Sequence, residues 1–127
     1  MSDYLFAYGT LRPGFAPKEM APTVAKLRVV REGFVYGNLY DLGTCPGAML
    51  DPTSAKKIFG IVLELPDDPD FLRRLDEYEE FDPALPQQSP FIRVPCAVEI
   101  PPGGTLQCWI YVYNRNARRN STGTSAQ

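Results

Sequence analysis

Apolar, β-rich runs separated by glycine and proline fill much of this chain, and one stretch near its middle follows a helical period instead. Asp3 to Tyr8 reads as a first strand, stopped by Gly9. A polar, proline-containing loop follows, with a helical turn expected near Pro17 to Met20. Lys26 to Tyr36 is strand-like, and Gly37-Asn38 predicts a break before Leu39-Tyr40-Asp41-Leu42. Cys45-Pro46-Gly47 is a turn signal ahead of a short extended piece, Ala48 to Leu50. Ile58 to Leu65 is β-rich and contains Gly60, which predicts a bulge or a close backbone approach. Pro83, Pro86 and Pro90 keep a later loop out of regular structure. Phe91 to Ile100 and Thr105 to Tyr113 form a last strand pair across Pro101-Pro102-Gly103-Gly104.

The helical stretch begins at Asp68-Pro69-Asp70, read as an acidic N-cap, proline at the first helical position and an acid in the first turn. Steps of about 100° from Phe71 put Leu75 at about 40°, Leu72 at about 100° and Tyr78 at about 340°. Glu79 falls at about 80°, inside this apolar stripe, whereas Glu80 and Glu77 fall at about 180° and 240°, toward water. A carboxylate turned into a core is costly unless something requires it there, which makes Glu79 the leading candidate for chemistry. The alternative is that Glu79 lies at the helix end, where the chain turns toward Phe81-Asp82-Pro83 and the carboxylate reaches solvent.

Many strands with one clear helix predict an α+β fold built on a small, strongly curved sheet or barrel. At 127 residues the chain is expected to form one domain over residues 1–113, followed by a polar tail over 114–127. Residues 1–113 carry ten basic against fifteen acidic side chains, and nine of the acids lie between Glu64 and Asp82. So acidic a body is a poor partner for nucleic acid, which binds through phosphate neutralisation. The sequence has no histidine, and Cys45, Cys96 and Cys108 form no CxxC pair, so neither a metal site nor a histidine-based triad is expected. No secretory signal or membrane-length apolar run is visible, and a cytoplasmic protein is expected.

Two segments then stand together: Tyr8-Gly9-Thr10-Leu11-Arg12 after the first strand, and Leu75-Asp76-Glu77-Tyr78-Glu79 on the helix. This pairing resembles the γ-glutamylcyclotransferase-like family, whose members carry a YG[ST]L loop and an LDxxE helix in that order. The resemblance runs on through Val35 to Gly43 with Pro46-Gly47, through Gly60 to Leu65, and to the aromatic strand Trp109 to Tyr113. It implies a mixed, barrel-like sheet flanked by one or two helices, with the loop and the glutamate facing one cavity. It also implies a cofactor-free reaction on a small γ-glutamyl substrate. The α-amine attacks its own γ-carbonyl, closing 5-oxoproline and expelling the attached amine.

In that setting each residue acquires an expected task. Glu79 would move the proton, since partial burial raises a carboxyl pKa toward neutrality. Gly9 permits a turn, and the N–H groups around Gly9, Thr10 and Leu11, together with Tyr8, would cradle the substrate carboxylate or the developing oxyanion. Arg12 could grip a carboxylate, though arginine after a turn is more often a solvated surface residue. Phe91-Ile92-Arg93 stands where relatives show Y-x-R, so a hydroxyl contact is lost at Phe91 while Arg93 is kept. Glu80 stands where many relatives have glycine, so the helix would run on or turn differently. Three other readings stay open: a non-catalytic module binding a small carboxylate, an interaction protein using the acidic surface or the tail, and removal of a γ-glutamyl protecting group from a biosynthetic intermediate.

Overall fold

In chain order the elements are β1 (Tyr4–Ala7), α1 (Ala21–Val24), β2 (Arg28–Asp41), β3 (Pro46–Leu50), β4 (Lys57–Glu64), α2 (Phe71–Tyr78), β5 (Phe91–Glu99) and β6 (Thr105–Tyr113). The structure, a computed structural model, describes residues 3–8, 18, 21–42 and 46–114. Strand β1 is covered on both faces, and this organises the rest. Phe6 turns into a cluster with Val35, Ile58, Val62, Val98 and Ile110, the interior of the sheet. Leu5 and Ala7 turn the other way, into a cluster with Leu63, Tyr111, Phe71 and Leu75, where α2 lies on the sheet. A strand alternates its side chains between faces, so one short apolar segment serves both layers.

The strand order is β3-β2-β4-β1-β6-β5, and β2 pairs again with β5 through Phe34 and Glu99. Five strands therefore close on themselves and β3 is added to the far half of β2. The sheet is mixed because β1 runs antiparallel to β4 and parallel to β6. This is the expected α+β, barrel-like mixed sheet. Among the described residues, no helix is long and apolar enough to cross a membrane.

Several local expectations need correction. Strand β2 does not break at Gly37-Asn38, because both residues stay in the ladder with β3, opposite Leu50 and Met49. A Cβ at Gly37 would stand 2.3 Å from the Met49 carbonyl oxygen, so glycine here serves close strand contact. Gly60 likewise serves a close approach, with a Cβ position 2.4 Å from the Ala7 carbonyl oxygen. The bulge lies elsewhere, between Val29 and Arg31. Helix α2 starts two residues later than the sequence signals suggest. The Asp68 carboxylate accepts the Asp70 N–H at 3.0 Å and its carbonyl accepts that of Phe71, so Asp68 closes a turn ahead of the helix. The proline-rich loop contains a 3-10 turn, Pro86–Gln88, with Asp82 N–H donating to the buried Ser89 hydroxyl across it. Tyr36 and Tyr40 on β2 stand exposed on the outer surface. The turn expected near Pro17 to Met20 lies outside the described residues apart from Lys18, as do Cys45 and the tail beyond residue 114.

Candidate active site

Helix α2 ends at Glu79 for a specific reason. Glu80 N–H donates to the Glu77 carbonyl at 3.1 Å and Phe81 N–H to the Asp76 carbonyl at 2.8 Å, the paired bonds of a Schellman stop. That stop requires a left-handed residue, and Glu80 takes it with φ 61. The helix therefore does not run on, although the position lacks the usual glycine. Phe81 then folds back onto the cluster of Phe71 and Leu75, the apolar contact that accompanies this stop.

The two readings of Glu79 from the sequence meet at this position. It is the C-cap of α2, at the helix end, and it is half-buried. Among the described residues no group hydrogen-bonds its carboxyl. Its pKa is pushed up from 4.5 to about 7, first by burial and then by the charges of Glu80 and Asp76. It can thus take up and release a proton near neutral pH.

Asp76, three residues earlier, is the buried acid that periodicity did not identify. It lies at about 140° on the helical wheel, at the margin of the stripe, and is only 5% exposed. Arg93 grips it with two bonds, Nε to Oδ1 at 2.7 Å and Nη2 to Oδ2 at 3.0 Å. The Tyr111 hydroxyl donates to Oδ1 at 2.6 Å. Burial, followed by that hydrogen bond, pushes the Tyr111 pKa far above the usual phenol range, so the hydroxyl keeps its proton. The Arg93 guanidinium also stacks over Trp109, 4.4 Å from the ring centroid. Asp76, Tyr111 and Trp109 gather around Arg93, and none of the three is among the candidate residues named from the sequence. A D-x-x-E spacing was the one available signal, since it sets two acids on one helix face.

The remaining candidates are placed as follows. Tyr8 ends β1 with its hydroxyl donating to the Tyr111 carbonyl at 2.6 Å and accepting the Ala48 N–H at 3.1 Å. Its hydroxyl thus ties the end of β1 to β3 and β6. Gly9, Thr10, Leu11 and Arg12 lie outside the described residues. Arg93 is closed on Asp76, and Phe91, two residues before it on β5, packs its ring 6.0 Å from that of Tyr113. Tyr8 and Arg93 are therefore brought to one strand, β6, at Tyr111 and Trp109, while Phe91 sits at its far end.

Along the neighbouring face of α2 runs an open groove of about 920 Å³, with Leu72, Asp76, Glu80, Phe81, Arg93 and Trp109 among its lining residues. Glu79 stands beside this groove, not on its wall. The buried Trp109 indole N–H has no acceptor among the described residues.

Residues 5–126 match the family described as "Gamma-glutamyl cyclotransferase, AIG2-like". The chain belongs to this family. It is 34% identical over 113 residues to a Niallia circulans protein named γ-L-glutamyl-butirosin B γ-glutamyl cyclotransferase, covering 88% of this chain and 67% of that protein. Its fold resembles an AIG2-like protein from mouse with a TM-score of 0.66 and 22% identity, over 87% of this chain and 76% of the other. It also resembles YkqA from Bacillus subtilis with a TM-score of 0.67 and 22% identity, over 90% of this chain but only 36% of that one. This chain thus spans about a third of the Bacillus protein. As a family member the protein is an enzyme of the γ-glutamyl cyclotransferase type.

Proposed function

We propose that this cyclotransferase converts a small γ-glutamyl amine to 5-oxoproline and the free amine, with Glu79 as the proton carrier. The observation that carries the reading is the Glu79 carboxyl: half-buried, without a counter-ion among the described residues, and with a pKa raised to about 7. The substrate supplies both nucleophile and electrophile. Its α-amine attacks the γ-carbonyl carbon, a new C–N bond closes the ring, and the bond to the leaving amine breaks. Glu79 takes the proton that the α-ammonium gives up and returns one to the departing nitrogen. Orientation alone can supply about 7–11 kcal/mol in well-aligned intramolecular attack. Residues 9–12 would hold the substrate carboxylate and the oxyanion through backbone N–H groups, the usual use of such a loop after a strand.

The groove beside α2 favours a cationic leaving amine. Of its acids, Asp76 is paired with Arg93 and Glu77 with Arg73, while Glu80 and Asp82 have no cation among the described residues. The groove's size accommodates an amine larger than an amino acid. The Niallia circulans relative, named for a γ-glutamyl group carried on butirosin B, supports the same direction. The reading therefore includes removal of a γ-glutamyl group from a larger molecule. The test is a panel of γ-glutamyl amines, differing in the charge of the leaving amine, assayed for 5-oxoproline. Preference for polycationic amines that weakens in Glu80→Gln supports the leaving-group reading, and indifference to amine charge contradicts it.

A further inference from the structure

Asp76 and Glu79 are i, i+3 neighbours on α2, so both carboxyl groups leave the helix toward one side. Two acids so close would ordinarily share any cation in reach. Here one takes everything. Arg93 Nε and Nη2 both close on Asp76, and the Tyr111 hydroxyl donates to it as well. The guanidinium is held by the Trp109 ring at 4.4 Å. A fork of this kind placed on Glu79 instead would hold it as the carboxylate and lower its proton affinity.

We propose that Asp76 is a positioning residue, capturing Arg93 and the Tyr111 hydroxyl so that Glu79 is left without a counter-ion among the described residues. This rests on the reading of Glu79 as the proton carrier. The charged and titratable groups that act on Glu79 among the described residues are Asp76 on α2, Glu80 just after it and Tyr111 on β6, and Arg93 on β5 lies one contact further, on Asp76. To the same cluster β1, β4 and α1 bring apolar side chains, namely Leu5, Ala7, Leu63 and Val24. Removing the Asp76 charge therefore has two effects of one sign. A neighbouring negative charge disappears, and a bidentate cation loses its partner one contact away from the remaining acid.

The test follows the Glu79 carboxyl by carbon-13 NMR of side-chain-labelled glutamate against pH, with Glu79→Gln assigning the resonance. The wild-type midpoint is expected near 7. In Asp76→Asn it should fall by at least about one unit, a tenfold loss of proton affinity. The double variant Asp76→Asn/Arg93→Gln removes the pair without freeing a cation, and its fall should be smaller. A folded Asp76→Asn whose midpoint stays within about a third of a unit of wild type overturns the proposal. Should Asp76→Asn not fold, Asp76→Ser in the same titration decides: a midpoint lowered by at least about one unit supports the proposal and an unchanged one overturns it. Activity is read separately. Retained 5-oxoproline formation in Glu79→Gln would end the proton-carrier reading, while the titration would still report whether Asp76 governs that carboxyl.

Discussion

Asp76 and Glu79 stand three residues apart on α2, and Arg93 closes on the first with two hydrogen bonds while none reaches the second from the described residues. The two carboxyl groups thereby stand in different surroundings on one helix face, the first paired and the second, among the described residues, not.

The raised pKa of Glu79 has a consequence for stability. Between about 4.5 and about 7 the folded state holds a proton that the unfolded state has released. Its contribution is therefore complete below about 4.5 and lost as pH rises through about 7. Glu79→Gln cannot ionise. Its stability relative to wild type should rise by on the order of 2 kcal/mol between pH 4 and pH 8, measured by urea unfolding. A pH-independent difference would mean that the carboxyl titrates normally.

Glu80 holds a backbone conformation better suited to glycine. Replacing it with glycine should stabilise the fold by about 1 kcal/mol through relief of the left-handed strain. The same change removes a charge that raises Glu79, so the Glu79 midpoint should move down. Thermal unfolding and carboxyl titration check the two halves independently.

The Arg93–Asp76 pair is nearly closed to solvent, with side chains 15% and 7% exposed. Arg93→Ala should cost about 3–5 kcal/mol, the effect of leaving a buried charge without its partner. Arg93→Lys keeps the charge but not the fork, and should fall between the alanine variant and wild type. Denaturant midpoints measure both.

The Tyr8 hydroxyl accepts from Ala48 and donates to Tyr111. Tyr8→Phe should lose about 1–3 kcal/mol of stability, since two backbone groups lose their partner. If the hydroxyl instead acts mainly on substrate, KM will rise while the unfolding curve stays unchanged.

How much of this was legible depended on whether the physical cause was local. The β5–β6 pair follows from alternation and a Pro-Gly turn, and it was read to within a residue at each end. The apolar period around Phe71 and Leu75 pointed Glu79 toward the covered side, and the helix end where it lies leaves it half-buried. The burial of Asp76 was not readable, although the residue stands in the LDxxE motif, because the groups that justify it lie 17 and 35 residues away on other strands. Gly37-Asn38 looked like a break for a similar reason, as only pairing with β3 keeps β2 extended there. The start of α2 was misjudged because Asp68 can cap a helix or close a turn, and Arg74, bonded to its other oxygen at 3.0 Å, helps to fix the turn.

The most direct test of the central claim is the pH dependence of 5-oxoproline formation from a γ-glutamyl amine by wild type and Glu79→Gln. The expected profile has an inflection near pH 7, and the substitution should lower kcat/KM by about 10²–10⁴-fold and remove that inflection. Near-wild-type turnover by Glu79→Gln, with the same inflection, would contradict the assignment of Glu79 as the proton carrier.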